Sequence, residues 1–244
     1  MKTLTFLRSF GFALILSLLG SSAQAQVKQT RNVKPFRAVS AGGAVNVFLT
    51  QGNETKVVVE AAEEIQANLI TEVQGGVLKI HRDKDFNWKN LKNYLGDING
   101  GSKVNIYITC PKLESLSVSG ASDVSSESVF AADHFTVQAS GASEIVLKVK
   151  AKTLSVSSSG ASDIKLSGEA ESQQVNLSGS SEYSAFNLQS KTTQVDASGA
   201  SEAYVLAENE LTSSASGASD IYYKGNARVI NKKTSGGSDV RLAK

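Results

Sequence analysis

The segment LSVSSSGASDIKL, residues 154–166, contains the pattern that determines the fold. Apolar side chains occupy every second position on both sides of its centre, which is the period of a half-buried β-strand. The centre, SGASD at residues 159–163, combines a glycine with small polar residues that favour a corner and are poor helix formers. The segment therefore predicts two strands that meet at a tight corner.

This corner motif recurs along the chain at intervals of nearly constant length. Its seven copies occupy residues 119–123, 140–144, 159–163, 178–182, 198–202, 216–220 and 235–239. The intervals between their glycines are 21, 19, 19, 20, 18 and 19 residues, and GAVNV at residues 43–47 is similar to a degenerate eighth copy. About 19 residues hold two or three short strands, whereas a propeller blade needs roughly 40. The sequence predicts an all-β fold, a parallel β-helix or β-solenoid whose rungs stack about 4.8 Å apart.

In such a stack, equivalent residues of successive copies form columns. The repeated glycine indicates a corner that needs a permissive backbone or has no room for a Cβ atom. The second serine of each copy predicts a ladder of hydroxyl groups that bond along the stack or to the corner backbone. These serines are Ser122, Ser143, Ser162, Ser181, Ser201, Ser219 and Ser238.

The acid that ends each copy predicts a column of like charges. Its members are Asp123, Glu144, Asp163, Glu182, Glu202, Asp220 and Asp239. Like charges directly opposite each other destabilise a sheet, so the acids need an explanation. In one interpretation they are solvated, paired with lysines, or bonded to turn amides in the corner. In the other they bind a partner or a divalent cation such as calcium, although the nine-residue repeat of calcium β-rolls is absent.

The part of the chain before the repeats also predicts β-structure. Residues 26–34 form a polar leader, residues 35–110 an N-terminal β portion, and residues 111–244 the repeats, so that 35–244 make one domain. Residues 51–53 (QGN) and 74–76 (QGG) predict hairpin turns, and residues 61–70 predict a short helical turn. We expect this portion to cap the solenoid, because an uncovered end rung is prone to aggregate.

One polar segment, residues 83–95, interrupts the pattern and contains the only tryptophan, Trp88, together with Tyr94. Its apolar residues have the spacing of a short helix. Two interpretations stay open: a lid packed over the solenoid, or an exposed loop whose aromatic side chains bind a glycan or a protein.

Residues 1–25 have the features of a cleaved signal peptide: a cationic start, a short apolar core and an AQA end. Without them the chain has 23 basic and 23 acidic side chains, so no general attraction to nucleic acid is expected. No later apolar run is long enough to span a membrane. We expect an exported protein of the periplasm or the cell surface.

The sequence contains no recognisable catalytic motif. His81 and His134 lie in separate segments, so neither a zinc site nor a Ser-His-Asp arrangement is indicated. Cys110 is the only cysteine and is expected to be a small buried hydrophobe, with a reactive thiol or an intermolecular bridge as the alternative. A pair of glycosidase carboxylates within the acid column is the enzymatic alternative, but the sequence predicts a protein that is not an enzyme and has no cofactor.

Residues 101–124 (GSKVNIYITCPKLESLSVSGASDV) resemble the head GIN domain family of putative auto-transporter adhesins, DUF2807. Residues 36–53 and the later corner motifs are also similar to that family. The resemblance implies a β-helical domain in the envelope of Gram-negative bacteria with an adhesin role, and it carries over no ligand residues. We expect no translocator barrel within these 244 residues, so the resemblance does not imply that the protein exports itself through one.

Taken together, the sequence predicts a non-catalytic interaction or structural module of the cell envelope, adhesin-like, with an envelope protein, a surface protein or a glycan as its partner. The alternatives are a carbohydrate-binding or carbohydrate-active β-helix and a cation-binding solenoid. Assembly into a homo-oligomer is left open.

Overall fold

The structure is a computed structural model that describes residues 26–83 and 104–243. Within these residues the chain forms sixteen strands and one short helix, α1 (Glu63–Asn68). The strands before the repeats are β1 (Val27–Arg31), β2 (Ala38–Gly42), β3 (Asn46–Gln51), β4 (Lys56–Ala61), β5 (Leu69–Gln74), β6 (Val77–Arg82), β7 (Asn105–Cys110) and β8 (Ser115–Ser119). The remaining strands are β9 (Asp123–Ala139), β10 (Glu144–Ser158), β11 (Asp163–Leu177), β12 (Glu182–Ala197), β13 (Glu202–Gly217), β14 (Asp220–Lys224), β15 (Arg228–Gly236) and β16 (Asp239–Leu242).

Each long strand forms two walls of a rung. In β10 every second side chain from Ile145 to Ala151 is buried, and beyond Lys152 the alternation restarts with Leu154. Because side chains of a strand alternate between two faces, this change of phase marks a second corner at Lys152. We call the part of a rung that follows the motif acid the first wall, and the part that precedes the next corner glycine the second wall.

The rungs stack in parallel and in register, as predicted. β9, β10, β11, β12 and β13 pair with one another in chain order, which gives a β-solenoid of about seven turns with a spacing of about 19 residues. Equivalent apolar residues therefore form buried columns, one of which contains Val47, Val124, Ile145, Ile164, Tyr183, Ala203, Ile221 and Val240. The predicted fold class is confirmed.

The corner glycines meet both conditions that the sequence suggested. Their φ angles lie between 75° and 84°, in the left-handed region that a side chain disfavours. From Gly141 to Gly236, a Cβ atom would lie only 2.4 to 2.6 Å from the carbonyl oxygen of the corner glycine one rung earlier. The next residue donates its N–H to that same oxygen over 2.7 to 2.8 Å, as Ala161 does to Gly141. At the glycine, neighbouring corners therefore pack backbone against backbone with no room for a side chain.

The serine ladder is confirmed as part of the corner. In six of the seven copies the Oγ atom of the second serine donates to the carbonyl oxygen three residues earlier, over 2.7 to 3.1 Å. Ser143, Ser162 and Ser201 also lie within 3.3 to 3.4 Å of a glycine carbonyl in a neighbouring rung. The buried hydroxyl groups thus satisfy carbonyls that the corner leaves without a strand partner.

The degenerate copy at residues 43–47 is also a corner. Asp123 pairs in register with Asn46 and donates its N–H to the carbonyl of Val45. The rung formed by β2 and β3 does not follow the chain order, because β2 lies between β6 and β8 while β3 lies between β7 and β9.

One of the two predicted hairpins is wrong. β5 and β6 do form an antiparallel hairpin closed by Gly75 and Gly76, whose φ angles are 60° and 77°. By contrast, residues 51–53 do not close a hairpin, because β7 lies between β3 and β4 and pairs with both. The expected polar leader over residues 26–34 contains an edge strand, β1, antiparallel to β4.

The predicted helical turn is α1, which lies at the N-terminal end of the solenoid. Gln66 is buried, and its Nε2 donates to the carbonyls of Val27 and Val59 over 2.6 and 2.9 Å. Arg31 donates from Nη2 to the backbone carbonyl and to Oε1 of Gln66, both at 2.9 Å. These bonds hold the helix against β1 and β4.

The corner geometry predicts that Gly160→Ala destabilises the protein more than Gly75→Ala. Both changes force a side chain into the left-handed region, at about 1–2 kcal/mol, but a Cβ atom at Gly75 meets nothing within 4 Å, whereas one at Gly160 lies 2.5 Å from the carbonyl oxygen of Gly141. We expect chemical denaturation to show a loss of about 2–4 kcal/mol for Gly160→Ala. Equal losses in the two variants would contradict the backbone contact between corners.

Candidate interaction surface

The acids that end the motif form one column along the solenoid, as predicted. Successive members pair directly in register from Asp123 through Glu144, Asp163, Glu182, Glu202 and Asp220 to Asp239. The first five are exposed and the last two are half-buried. Neighbouring strands lie about 4.8 Å apart, so the column is a continuous strip. Asn46 and Asn105 extend it with neutral side chains at its N-terminal end.

The acids at the C-terminal end of this acid column have partners. Ser184 donates to Glu182 over 2.6 Å, Tyr204 donates to Glu202, and Tyr222 donates to Asp220 over 3.2 Å. Asp239 lies 3.0 Å from Nε of Arg241.

The acids at the N-terminal end of the acid column are bare, in the sense that their side chains have no partner within the described residues. Across the described ranges 26–83 and 104–243, the side chains of Asp123, Glu144 and Asp163 make no hydrogen bond and no ion pair. Only Asp220 and Asp239 accept a backbone N–H, so bonding to turn amides does not account for the other five acids. Three successive exposed carboxylates are therefore available to a ligand.

A second exposed column shows that the fold can alternate charges. At the second corner the register places Asp133, Lys152, Glu171 and Lys191 in successive rungs. Lys152 Nζ lies 2.8 Å from Asp133 Oδ1, and this contact lowers the pKa of Asp133 and raises that of Lys152. Opposite charges in neighbouring strands stabilise a sheet. The uniform sign of the acid column is therefore not imposed by the solenoid.

No group of three or more His, Cys, Asp or Glu side chains in the described part of the chain is arranged to hold a metal ion. The acids stand in single file, so a cation beside them would have carboxylates from two neighbouring rungs. Calcium binding by this column stays a prediction.

Aromatic pairs stand at both ends of the outward-facing column that lies two residues beyond the acids. At the N-terminal end Phe48 and Tyr107 stack with ring centroids 5.2 Å apart, and at the C-terminal end Tyr204 and Tyr222 stack at 5.1 Å. The hydrogen bond to Glu202 raises the pKa of Tyr204 strongly, and desolvation followed by Asp220 raises that of Tyr222, so both phenols stay protonated donors. Between the pairs stand Ser125, Val146, Lys165 and Ser184.

A groove of about 500 Å³ lies beside the part of this column that runs from Val146 to Tyr204. Val146 and Lys165 lie along it, Glu182 contributes a carboxylate, and Phe186 and Tyr204 form an aromatic wall with their rings edge to face at 5.5 Å. Phe186 reaches this position because residues 186–188 of β12 have no counterpart in β13 and form a bulge. Bulges commonly redirect side chains in this way.

The sequence interpretation missed Phe186, Tyr204 and Tyr222. A signal was available: the interval of 20 residues between Gly179 and Gly199 is followed by one of 18. Two successive rungs of unequal length must be joined by an irregularity, which is the bulge that presents Phe186.

The aromatic residues that the sequence did single out, Trp88 and Tyr94, lie outside the described residues, as does the expected signal peptide. The strands on either side of residues 84–103 still show where that segment begins and ends. Arg82, at the end of β6, donates from Nε to the carbonyl of the corner residue Gly43 over 3.2 Å. Asn105, at the start of β7, pairs with Asn46. Arg82 and Asn105, on either side of that segment, thus both lie beside the corner at the N-terminal end of the acid column.

Cys110 is a buried residue in β7, as expected, and burial raises the pKa of its thiol to about 11. His81 lies in β6 and His134 in β9.

The family model described as "Putative auto-transporter adhesin, head GIN domain" matches residues 35–227. The chain belongs to this family. Membership places it among adhesin-like proteins, and the resemblance seen in residues 101–124 is confirmed.

Three solved structures show the same fold. A putative adhesin from Bacteroides fragilis superposes with a TM-score of 0.79 at 22% identity. A putative lipid binding protein from Parabacteroides distasonis gives 0.71 at 18%, and a putative adhesin from Parabacteroides merdae gives 0.68 at 17%. Each comparison covers 91% of this chain and 98% of the other.

No curated protein is detectably similar to the chain in sequence. In the described ranges, none of the helical structure is long and apolar enough to cross a membrane.

The two charged columns predict opposite effects of removing one charge. Glu144→Gln is expected to raise the melting temperature, because it removes a like charge between Asp123 and Asp163, with a gain of up to about 1 kcal/mol. Lys152→Gln, the matched control, is expected to lower the melting temperature because it breaks the ion pair with Asp133. Both changes should shrink in high salt, which screens exposed charges. A destabilised Glu144→Gln would show that the acid supports the corner.

Melting temperatures also test whether the acid column binds calcium. If the acid column binds calcium, calcium chloride should raise the melting temperature of the parent protein above its value in sodium chloride of equal ionic strength. The gain should vanish in Glu144→Gln combined with Asp163→Asn. Equal melting temperatures of the parent in the two salts would end the cation hypothesis.

Proposed function

We propose that this protein is a non-catalytic, exported module of the cell envelope with an adhesin-like role, and that the acid column is its binding strip. Membership of the head GIN domain family supports the adhesin-like role. The sequence pattern of residues 1–25 supports export.

The observation that carries the binding strip is the row of three bare carboxylates at Asp123, Glu144 and Asp163. The carboxylates of this row repel one another, yet the row contains no basic residue. The column at the second corner, by contrast, alternates acidic and basic residues. Charges that oppose stability without internal partners are typical of sites that recognise a ligand. The chemistry of the strip fits a partner with amino or guanidinium groups, which an envelope or surface protein provides.

Exposure at the cell surface tests the adhesin-like role directly. The readout is an epitope tag inserted between Gly75 and Gly76, in the exposed hairpin, because we expect the hydrogen-bonded strands of the solenoid to resist proteolysis. In the native host, protease added to intact cells is expected to remove this tag while a periplasmic marker stays intact. Tag loss only after the outer membrane is opened would contradict an adhesin and leave an exported periplasmic module.

The groove beside Phe186 favours a second function, recognition of a neutral glycan. Pockets of 300–1,000 Å³ with apolar and aromatic walls and a few converging polar groups are typical of small-molecule sites. The groove has these walls, and Lys165 and Glu182 supply a donor and an acceptor for sugar hydroxyl groups. Its position next to the acid column would let one ligand touch both.

A glycan array tests this second function. We expect the parent protein to bind a defined set of glycans and Phe186→Ala to lose at least ten-fold in affinity. Phe48→Ala is the matched control, because it removes an aromatic ring from the same column at the other end and should leave binding unchanged. Trp88→Ala tests the contribution of the segment that lies outside the described residues. Absence of glycan binding by the parent would exclude this function.

A further inference from the structure

The last rung of the described residues leaves two strand edges without a partner strand. Among the described residues β15 pairs only with β13, and β16 pairs only with β14. Ile230 and Leu242 on these strands are 50% and 61% exposed, the highest values among the exposed large apolar residues. A free edge with exposed apolar side chains is a template for another strand. The N-terminal end differs, because α1 and the antiparallel strand β1 lie there.

The edge of β15 matches a second copy of the same chain. Every rung in the repeats stacks on its neighbour through strand edges, and the last rung of a second copy offers the same free edge of β15. Since α1 lies at the other end, two copies would meet through their last rungs about a two-fold axis, with their β15 edges antiparallel to each other. Such an isologous contact closes at a dimer.

One column of buried side chains ends in a charged residue, which opposes a contact between two last rungs. It runs through the second walls as Leu78, Val39, Leu116, Val137, Val156, Val175, Val195 and Ser213, and every member is at most 1% exposed. The next position, in β15, is Lys232. An inward-facing lysine therefore stands where seven rungs have an aliphatic side chain.

Lys232 reaches across the open end of the core. Its Nζ donates to the carbonyl of Val240, in the opposite wall, and lies 3.9 Å from Oδ1 of Asp239. A strand stacked on β15 would lie directly on this ammonium group and remove its remaining water. Burying a charge without new partners is strongly unfavourable, so the lysine blocks the position that a second rung would need.

We propose that Lys232 prevents two copies of this protein from pairing through their last rungs. Inward-pointing charges at sheet edges are a known means of avoiding association between edges. Here the charge stands at the last position of an inward-facing column, where that column meets solvent. The surface that it guards fits a second copy of this chain.

The neighbouring residue provides a matched control. Lys233 lies on the same strand and carries the same charge, but it pairs with Ser214 in an outward-facing column. Replacing either lysine by valine changes the net charge equally and adds the same side chain. Only Lys232→Val places an apolar side chain at the end of the inward-facing column, beyond Ser213.

Light scattering after size exclusion tests the proposal over a range of protein concentrations. The parent protein and Lys233→Val are expected to have the mass of one copy, and Lys232→Val the mass of two copies. Circular dichroism confirms that each variant retains its β-structure. Lys232→Ala, which removes the charge without adding a branched side chain, should also dimerise, with a weaker affinity.

Two outcomes would overturn the proposal. One is a folded Lys232→Val that keeps the mass of one copy, and the other is equal association of the Lys232 and Lys233 variants, which would show that net charge alone matters. If Lys232→Val and Lys232→Ala both fail to fold, the lysine serves folding and the proposal is wrong.

Discussion

The hydrogen bond between neighbouring corners is the interaction on which the rest of this structure depends. The residue after each corner glycine donates its N–H to the carbonyl of the corner glycine one rung earlier, as Ala161 does to Gly141. Only glycine permits this contact, because it provides both the positive φ angle and the space. Since the corner sets where each rung begins, it sets the register of the columns on either side of it, including the acid column.

A fixed register turns the surface into a set of columns in which each rung contributes one side chain. The second corner has alternating charges, of which Asp133 and Lys152 pair across rungs, and the motif end has acids of one sign. The same backbone supports both, so the difference resides in the side chains and their partners. The C-terminal end of the solenoid also depends on one side chain. Lys232 places a charge at the end of an inward-facing column that is aliphatic in seven rungs.

The repeated features of the fold could be predicted from the sequence, whereas the irregular features could not. Seven corner motifs at nearly constant intervals predicted the parallel stack and the acid column, and their similarity to residues 43–47 predicted the degenerate corner at Val45. The position of β7 between β3 and β4 could not be predicted, because it depends on pairing between residues such as Asn46 and Asn105, far apart in the chain. The groove depends on Phe186, whose placement comes from a local mismatch between rungs. Regular periodicity indicates columns, whereas sites built on irregularities need the structure.

Hydrogen exchange at the corner amides tests the central claim most directly. Ala142, Ala161 and Ala200 are exposed residues, yet their N–H groups bond to a glycine carbonyl. If these bonds hold the rungs in register, the amides should exchange as slowly as those of the buried strands, on the order of 10³-fold slower than Gly75 and Gly76 in the hairpin. Corner amides that exchange as fast as the hairpin amides would contradict the account.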